Sequence, residues 1–515
     1  MIAAWVAGAV AALSVATYYF LTAHFNHWKE RGVLGPKPVL FFGTIKNLVL
    51  RRTPLNLFYV DDYNNYPKEK YVGVFRFRQP ALLVRDPDIV KRIMIKDFDN
   101  FMQRGIELSD KGIGMNIFHA SADDWQVLRS KFTPTFTSGK LKEMFHLLNT
   151  CGDKFVDYMT EILAKNQEID TYFYIKKYTK SGISSCAFGL DLDFRKGEIF
   201  DELQKIDDIV LNNTYMNDLE WMFPGILRKL NMDFFPSLVS DFFCNLVRDI
   251  FENRKGVPSS RKDFMDMFME VKNSGGVMQG AKRGDKAEVL QIDDRIIAAQ
   301  AALMYVAGFE TSASTMSYLL HELAHHPEIQ ERLLAEINHV IQRHGALSYE
   351  AIQEMTYLSQ VLNETLRKYP VVDPLTRVAK EDYRVPDSDL VVSKGTSFII
   401  SVRAIHYDEK YYPDPTRFDP ERFLPENVKN RHSAVHLPFG IGPRNCIGLR
   451  FAQVTSRLCL AKLLPKFRVE PAATTAYNIQ YDPQSILLNP VRGIPLKFVP
   501  LRRINEFFTL HSTST

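Results

Sequence analysis

Cysteine is scarce in this chain. Its five cysteines, Cys151, Cys186, Cys244, Cys446 and Cys459, are odd in number and widely spread over 515 residues. They form no CxxC pair and no Cys/His cluster, which argues against a disulfide framework or structural zinc and for a reducing compartment. An excess of either charge sign is missing too. Sixty-four basic residues against 60 acidic ones leave a formal charge of +4, so nothing global points to nucleic acid. No internal repeat or long low-complexity tract is present, and a 46% hydrophobic composition excludes a wholly disordered chain.

Charge is absent altogether from Ile2 to Leu21, where Ala, Val, Leu and Trp dominate. About 20 residues of helix span the ~30 Å hydrocarbon core of a bilayer. A cleaved signal peptide needs a basic start and a shorter apolar run, and nothing charged precedes this one. The cations Lys29, Arg31 and Lys37 follow it. The positive-inside rule then places the rest of the chain in the cytoplasm. We therefore expect residues 1–25 to be an uncleaved single-pass anchor. Residues 26–38 contain Gly32-Val33-Leu34-Gly35-Pro36-Lys37-Pro38, which reads as a short, semi-rigid spacer.

Residues 39–515 read as one mostly α domain with small β-sheets. Two strands are expected at Tyr71–Phe77 and Ala81–Val84, with Gln79-Pro80 as their turn. From Asp86 to Tyr369 the pattern is mainly helical. The longest helix is expected to be capped by Asp293 and to end at His326, before Pro327. A loop is expected from Ser274-Gly275-Gly276 through Gly284-Asp285. Short strands and loops follow Pro370, and a helix returns after Cys446 to about Pro465. Phe234-Phe235-Pro236 and Phe242-Phe243 form an aromatic cluster that suits helix core packing or a membrane-dipping surface.

The most specific stretch is Pro438-Phe439-Gly440-Ile441-Gly442-Pro443-Arg444-Asn445-Cys446-Ile447-Gly448. Its glycines permit turns closed to other residues and let backbone approach a flat partner. Cys446 falls just ahead of a helix, whose N-terminal N–H groups and dipole favour a thiolate. A thiolate is the ligand that pushes electron density onto haem iron and favours O–O cleavage. Mid-way along the long helix, Ala307-Gly308-Phe309-Glu310-Thr311 places a costly glycine three residues before a hydroxyl able to back-bond and bend the helix.

The cysteine stretch resembles the haem-binding loop of the cytochrome P-450 superfamily, the haem-thiolate monooxygenases, at Phe439, Gly442, Arg444, Cys446 and Gly448. Other signatures recur in the family's order over nearly all of the chain after the anchor. The Tyr349–Tyr369 and Thr133–Phe145 stretches look most similar to insect microsomal members of detoxification type. The resemblance implies the cytochrome P-450 fold, a haem b whose iron takes Cys446 as metal ligand, and a proton relay by Glu310 and Thr311. Delivering protons singly in a dry site suits heterolytic O–O cleavage. Glu364, Arg367 and Arg422 match the family's buried charge network. Trp125, Arg129 and Arg444 match its propionate contacts, with Arg377 and Arg104 matched by position. Ser121 and Asp124 give the helix carrying Trp125 a capping-box start.

Pocket residues implied by the same resemblance are Phe118 with Ile117, Ala307, Val372 and Leu487 in the turn Ser485-Ile486-Leu487. Asp373 beside Val372 is out of place against an oily substrate. Thr455-Ser456 stands where many relatives carry a glutamate, so a secondary charge pair is expected to be missing. Implied partners are an NADPH-dependent flavoprotein reductase, cytochrome b5, the endoplasmic reticulum (microsomal) membrane and an apolar small molecule, with xenobiotic metabolism as the expected role and no nucleic acid. Lys140, Lys142, Arg129 and Arg450 are expected to supply a basic docking face. Two rivals stay open: a haem-thiolate isomerase or dehydratase acting on a peroxide, which Glu310-Thr311 counts against, and a haem sensor without turnover.

Overall fold

A computed structural model describes residues 1–106, 113–195, 197–211, 215–223, 225–273, 277–283 and 286–501. Helix α1 (Ile2–Thr22) has no buried residue. Its 21 residues rise about 31 Å, the thickness of a hydrocarbon core. Among the described helices one other, Asp294–His325, is long and apolar enough to cross a membrane, but two-thirds of it is buried inside the protein. That one is a core helix; α1 is the candidate anchor.

Strands β1 (Tyr71–Arg76) and β2 (Gln79–Val84) form an antiparallel hairpin. The turn falls at Phe77-Arg78, with Phe77 at φ 54°, and not at Gln79-Pro80 as the sequence suggested. Pro80 lies inside β2 but ahead of Ala81–Leu83, the residues that pair with the next strand, so its missing N–H breaks no bond of that ladder. β3 (Leu375–Val378) and β4 (Ser397–Ile400) complete a four-stranded sheet in the order β1-β2-β4-β3, with β2 and β4 parallel.

The helical body contains α2 (Ala122–Phe132), α3 (Ser138–Lys165), α4 (Thr171–Phe188), α5 (Glu198–Leu211), α6 (Ser237–Asn253), α7 (Asp294–His325), α8 (Thr356–Lys368), α9 (Val402–His406) and α10 (Leu449–Leu463). Ser121 caps α2, accepting the Asp124 N–H, and Asp293 caps α7, its Oδ1 2.8 Å from Ile296 N. At 32 residues α7 is about 48 Å long and packs against α4, α6 and α10. Its Gly308 has a packing reason: an added Cβ would lie 3.0 Å from Ile183 Cδ1 on α4.

Where a loop was expected after α6, Val277–Arg283 and Lys286–Gln291 pair as an antiparallel hairpin; Ser274, Gly275, Gly276, Gly284 and Asp285 lie outside the described residues. Phe243 is fully buried in the helical core, while Phe234 and Phe235 are half-buried with their rings beside His119.

Candidate active site

The cysteine loop folds as its glycines require. Gly440 and Gly442 adopt φ of 67° and 77°, a region other residues rarely enter. The loop closes on itself through Gly440 N–H to Leu437 O (3.0 Å), Asn445 N–H to Gly442 O (3.1 Å) and Cys446 N–H to Phe439 O (2.9 Å). Gly448 follows as the N-cap of α10. Cys446 is accessible to solvent and at the same time densely surrounded by protein, as a group on the floor of a recess is. Burial pushes its thiol pKa up; the Gly448 N–H and the charges of Arg104 and Arg129 pull it down without prevailing. The Gly448 N–H at the start of α10 favours the thiolate against burial, and a bound metal would deprotonate the thiol outright.

Around the loop lies a nest of guanidinium groups. Arg104 donates to Phe118 O (3.1 Å) and Arg444 O (3.0 Å), and Arg129 to Asn445 O (3.0 Å) and Oδ1 (2.8 Å). Arg444 donates to Met102 O and, at 2.9 Å, to Ala120 O, with Cζ 4.9 Å from the centroid of the buried Trp125 ring. Arg377 donates to Thr376 O (2.7 Å). Burial first, and then mutual repulsion, lowers Arg104 to about 10, Arg377 to about 9 and Arg444 to about 8, and Arg129 moves the same way through burial. His119, half-buried, drops to about 3 through desolvation first and then the charges of Arg104 and Arg444. Among the described residues no carboxylate pairs with any of the four arginines, and Nε of Arg377 and of Arg444 is buried without a partner. Such a cluster calls for an anion from outside the chain. Two propionates beside a thiolate-ligated iron fit it, since guanidinium pairs with carboxylate bidentately.

On α7, Thr311 Oγ1 back-bonds to Ala307 O (2.7 Å) and Ala307 is exposed in the middle of an otherwise buried helix. Residues four apart share a face, so Ala307 and Thr311 border the same accessible space. Glu310, one residue round the helix, faces α4 and is fully buried. Its carboxylate accepts from the Tyr172 hydroxyl and from Asn489 Nδ2 (3.0 Å), and lies 2.8 Å from Lys176 Nζ. None of these three partners was foreseen. Tyr172 and Lys176 are one helical turn apart on α4, a signal that acquires meaning only once α4 is known to lie against α7.

Glu364 and Arg367 on α8 are both fully buried. Arg367 Nε and Nη2 meet Glu364 Oε2 and Oε1 at 2.7 and 2.8 Å, Asp419 N–H donates to Oε1 at 2.9 Å, and Arg422 Nε stands 3.5 Å away. The structure thus brings Glu364, Arg367 and Arg422 together. It adds His406, which sequence reasoning missed. Its Nε2 accepts from Leu437 N–H (2.9 Å), so its Nδ1–H donates to Arg367 O (3.0 Å). Burial holds this imidazole neutral, with its pKa well below the ordinary value. The ring thereby ties the charge network to the start of the cysteine loop.

The pocket residues read from sequence are apolar and open: Phe118 is 37% and Val372 36% exposed, and Leu487 is half-buried. Leu488 N–H bonds Val371 O (3.0 Å), which sets the late turn beside Val372. Asp373 is not a pocket group. Its carboxylate caps α9, accepting from Ser401 Oγ (3.2 Å), Val402 N–H (2.9 Å) and Arg403 N–H (2.8 Å). Burial raises its pKa from 3.8 to about 7. Between those two values the folded chain holds a proton that the unfolded chain has lost, so this group's stabilisation is full below about pH 4 and is lost as pH rises through about 7. Asp373→Asn is expected to flatten that part of the melting-temperature profile; identical profiles for the two proteins would refute it.

Of the four cations expected on a docking face, Arg129 turns inward to Asn445, Lys142 pairs with Glu350 and Lys140 lies 3.7 Å from Glu143. Of the four, Arg450 is exposed and has no ion pair among the described residues.

A cysteine on a glycine-shaped turn beside a cationic nest and a long helix exposed at Ala307 are features that fit a haem-thiolate oxygenase. A model of the cytochrome P450 family matches residues 33–498. Cytochrome P450 6B2 of Helicoverpa armigera is 45% identical over 497 residues, covering 96% of this chain and 98% of that protein. Cytochrome P450 6B5 of Papilio glaucus is 48% identical over 467 residues (90% and 98%), and cytochrome P450 6a2 of Drosophila melanogaster 39% over 499 (94% and 97%). The chain belongs to the cytochrome P450 family. It is thus a monooxygenase, an oxidoreductase whose haem iron is held by a cysteine thiolate, and as in its family it takes electrons from a redox partner and binds a small molecule.

Proposed function

We propose that the protein is a microsomal monooxygenase that inserts one oxygen atom of O₂ into an apolar small molecule, a xenobiotic or a lipid-like endogenous compound. Residues 1–25 anchor it once in the endoplasmic reticulum membrane and residues 26–38 space the cytoplasmic catalytic body, residues 39–515, from the bilayer. Electrons come from NADPH through a flavoprotein reductase, with cytochrome b5 as a further donor. The observation that carries this reading is the accessible Cys446 beside four guanidiniums, two buried (Arg377 and Arg444) and two half-buried (Arg104 and Arg129), with no carboxylate paired to them among the described residues. Cys446 is the iron ligand, and Arg104, Arg129, Arg377 and Arg444, with Trp125 against Arg444, hold the propionates. The haem, when bound, supplies the redox chemistry that activates O₂.

The chain's own residues do the rest. Thr311 presents its hydroxyl from the accessible face of α7, and Glu310 stands next to it in the chain as the acid of the relay. Phe118, Ala307, Val372 and Leu487 exclude water and favour an oily substrate, a wall that suits such a ligand because Asp373 is committed to α9. The resemblance of the chain to insect members supports a detoxification role.

Cys446→Ala is expected to abolish the long-wavelength Soret band of the reduced carbon monoxide complex and all turnover. A full band in that variant would end the proposal. For substrate class, the test is a panel of apolar compounds with purified reductase, scored by mass spectrometry for a gain of one oxygen. Turnover with a hydroperoxide alone, and none with reductase, would refute it.

A further inference from the structure

The late turn that carries Leu487 also carries Asn489, and Asn489 reaches Glu310. A carboxylate with no solvent contact needs partners from the protein: the Tyr172 hydroxyl and the Asn489 amide both donate to Oε1 of Glu310, and the Lys176 ammonium pairs with Oε2 as an ion at 2.8 Å. The amide's orientation is fixed from both sides. A carboxylate only accepts, so Nδ2 faces Glu310 at 3.0 Å, while Oδ1 takes the Ser314 hydroxyl at 3.1 Å. The turn itself is pinned by Leu488 N–H to Val371 O, by the Tyr318 hydroxyl to Leu488 O, and by Asp482 N–H to Asn489 O. Tyr318 and Ser314 belong to α7. One short segment thus links the pocket wall at Val372 and Leu487 to the acid on α7.

We propose that Asn489 is a positioning residue for Glu310, and that the turn 485–489 couples what occupies the pocket wall to the hydrogen bonding of the proton-relaying acid. The inference rests on the reading of Glu310 as that acid. Pressure on Leu487 or Val372 moves the turn and lengthens or shortens the Asn489–Glu310 bond. Losing a donor raises a buried carboxylate's proton affinity, and gaining one lowers it. A substrate that seats against Leu487 therefore sets the hydrogen bonding of Glu310, and one that does not leaves the relay misaligned. The other charged or titratable groups around Glu310 are Tyr172 and Lys176 on α4, the buried Lys180–Asp207 pair between α4 and α5, and Tyr305 and Tyr318 on α7. None of these sits on the pocket turn.

The test uses the full chain in phospholipid vesicles with a flavoprotein reductase and an apolar alkoxycoumarin as probe substrate. Asn489→Leu should leave the reduced carbon monoxide spectrum and the spin-state titration of the probe unchanged. Product formed per electron pair should fall roughly tenfold, the scale of one hydrogen bond to a charged group, with hydrogen peroxide accounting for the missing electrons. The infrared carboxyl band of Glu310, identified by its loss in Glu310→Gln, should shift in Asn489→Leu. Asn489→Gln should restore part of the coupling. Asn489→Asp, which sets a second carboxylate beside Glu310, should move the pH profile of coupling upward. Unchanged coupling and an unshifted band in Asn489→Leu would overturn the proposal. Should Asn489→Leu lose its thiolate spectrum, an unmoved pH profile in the near-isosteric Asn489→Asp would overturn it instead. If Glu310→Gln itself couples normally, the relay reading fails; if it uncouples while Asn489→Leu does not, the relay stands and the role of Asn489 falls.

Discussion

Replacing Arg367 by alanine should yield no folded, haem-loaded protein. Glu364 would keep the Asp419 N–H and Arg422 at 3.5 Å but lose both short bonds of its bidentate partner while remaining fully buried. Burial already raises the Glu364 pKa, and the Arg367 bond and charge chiefly oppose it. Stranding one member of a buried pair costs about 3–5 kcal/mol, a large share of the 5–15 kcal/mol that typically separates folded from unfolded chains. The damage would also spread. Arg367 donates to His406 O (3.0 Å) and Arg417 O (3.3 Å), and His406 in turn holds Leu437 at the entry to the cysteine loop. The measurement is the yield of thiolate-ligated carbon monoxide complex per milligram of purified chain, together with protease resistance. A protein with wild-type yield would show that the network is dispensable. Arg367→Lys should rescue poorly, because one ammonium cannot reproduce two parallel bonds.

Gly442→Ala is expected to be nearly as severe for a different reason. At φ 77° a side chain is already strained. An added Cβ would also sit 1.9 Å from the backbone oxygen of Met94, inside the helical turn Arg92–Lys96. The expected result is near-complete loss of the reduced carbon monoxide band and a lowered melting temperature. Gly139 on α3 is the control: nothing lies within 4 Å of its added Cβ, and alanine there should stabilise slightly, by about 0.5–1 kcal/mol, through helix propensity. Equal behaviour of the two variants would remove the argument from close approach.

Where the governing interaction is local, the residues announced it. The glycines of the cysteine loop, the Asp293 cap, the Ser121 start of α2 and the Glu364–Arg367 pair on one helix face all act within a few positions of themselves. The misplaced turn of the first hairpin is the instructive exception: Pro80 looked like a turn residue because its neighbour across the sheet, β4, is not visible in local pattern. Long-range partners escaped for the same reason. Tyr172 and Asn489 stand 138 and 179 positions from Glu310, His406 lies 39 from Arg367, and Asp373 finds its use at α9, nearly 30 residues on. Asp373 shows the cost of reasoning from proximity alone. It neighbours a pocket residue in sequence and yet spends its charge on a helix end.

The guanidinium nest has a consequence for stability. Four like charges gathered with no paired carboxylate among the described residues are a standing penalty that a bound dianion would relieve, so the stability of this corner of the fold is linked to capturing the prosthetic group.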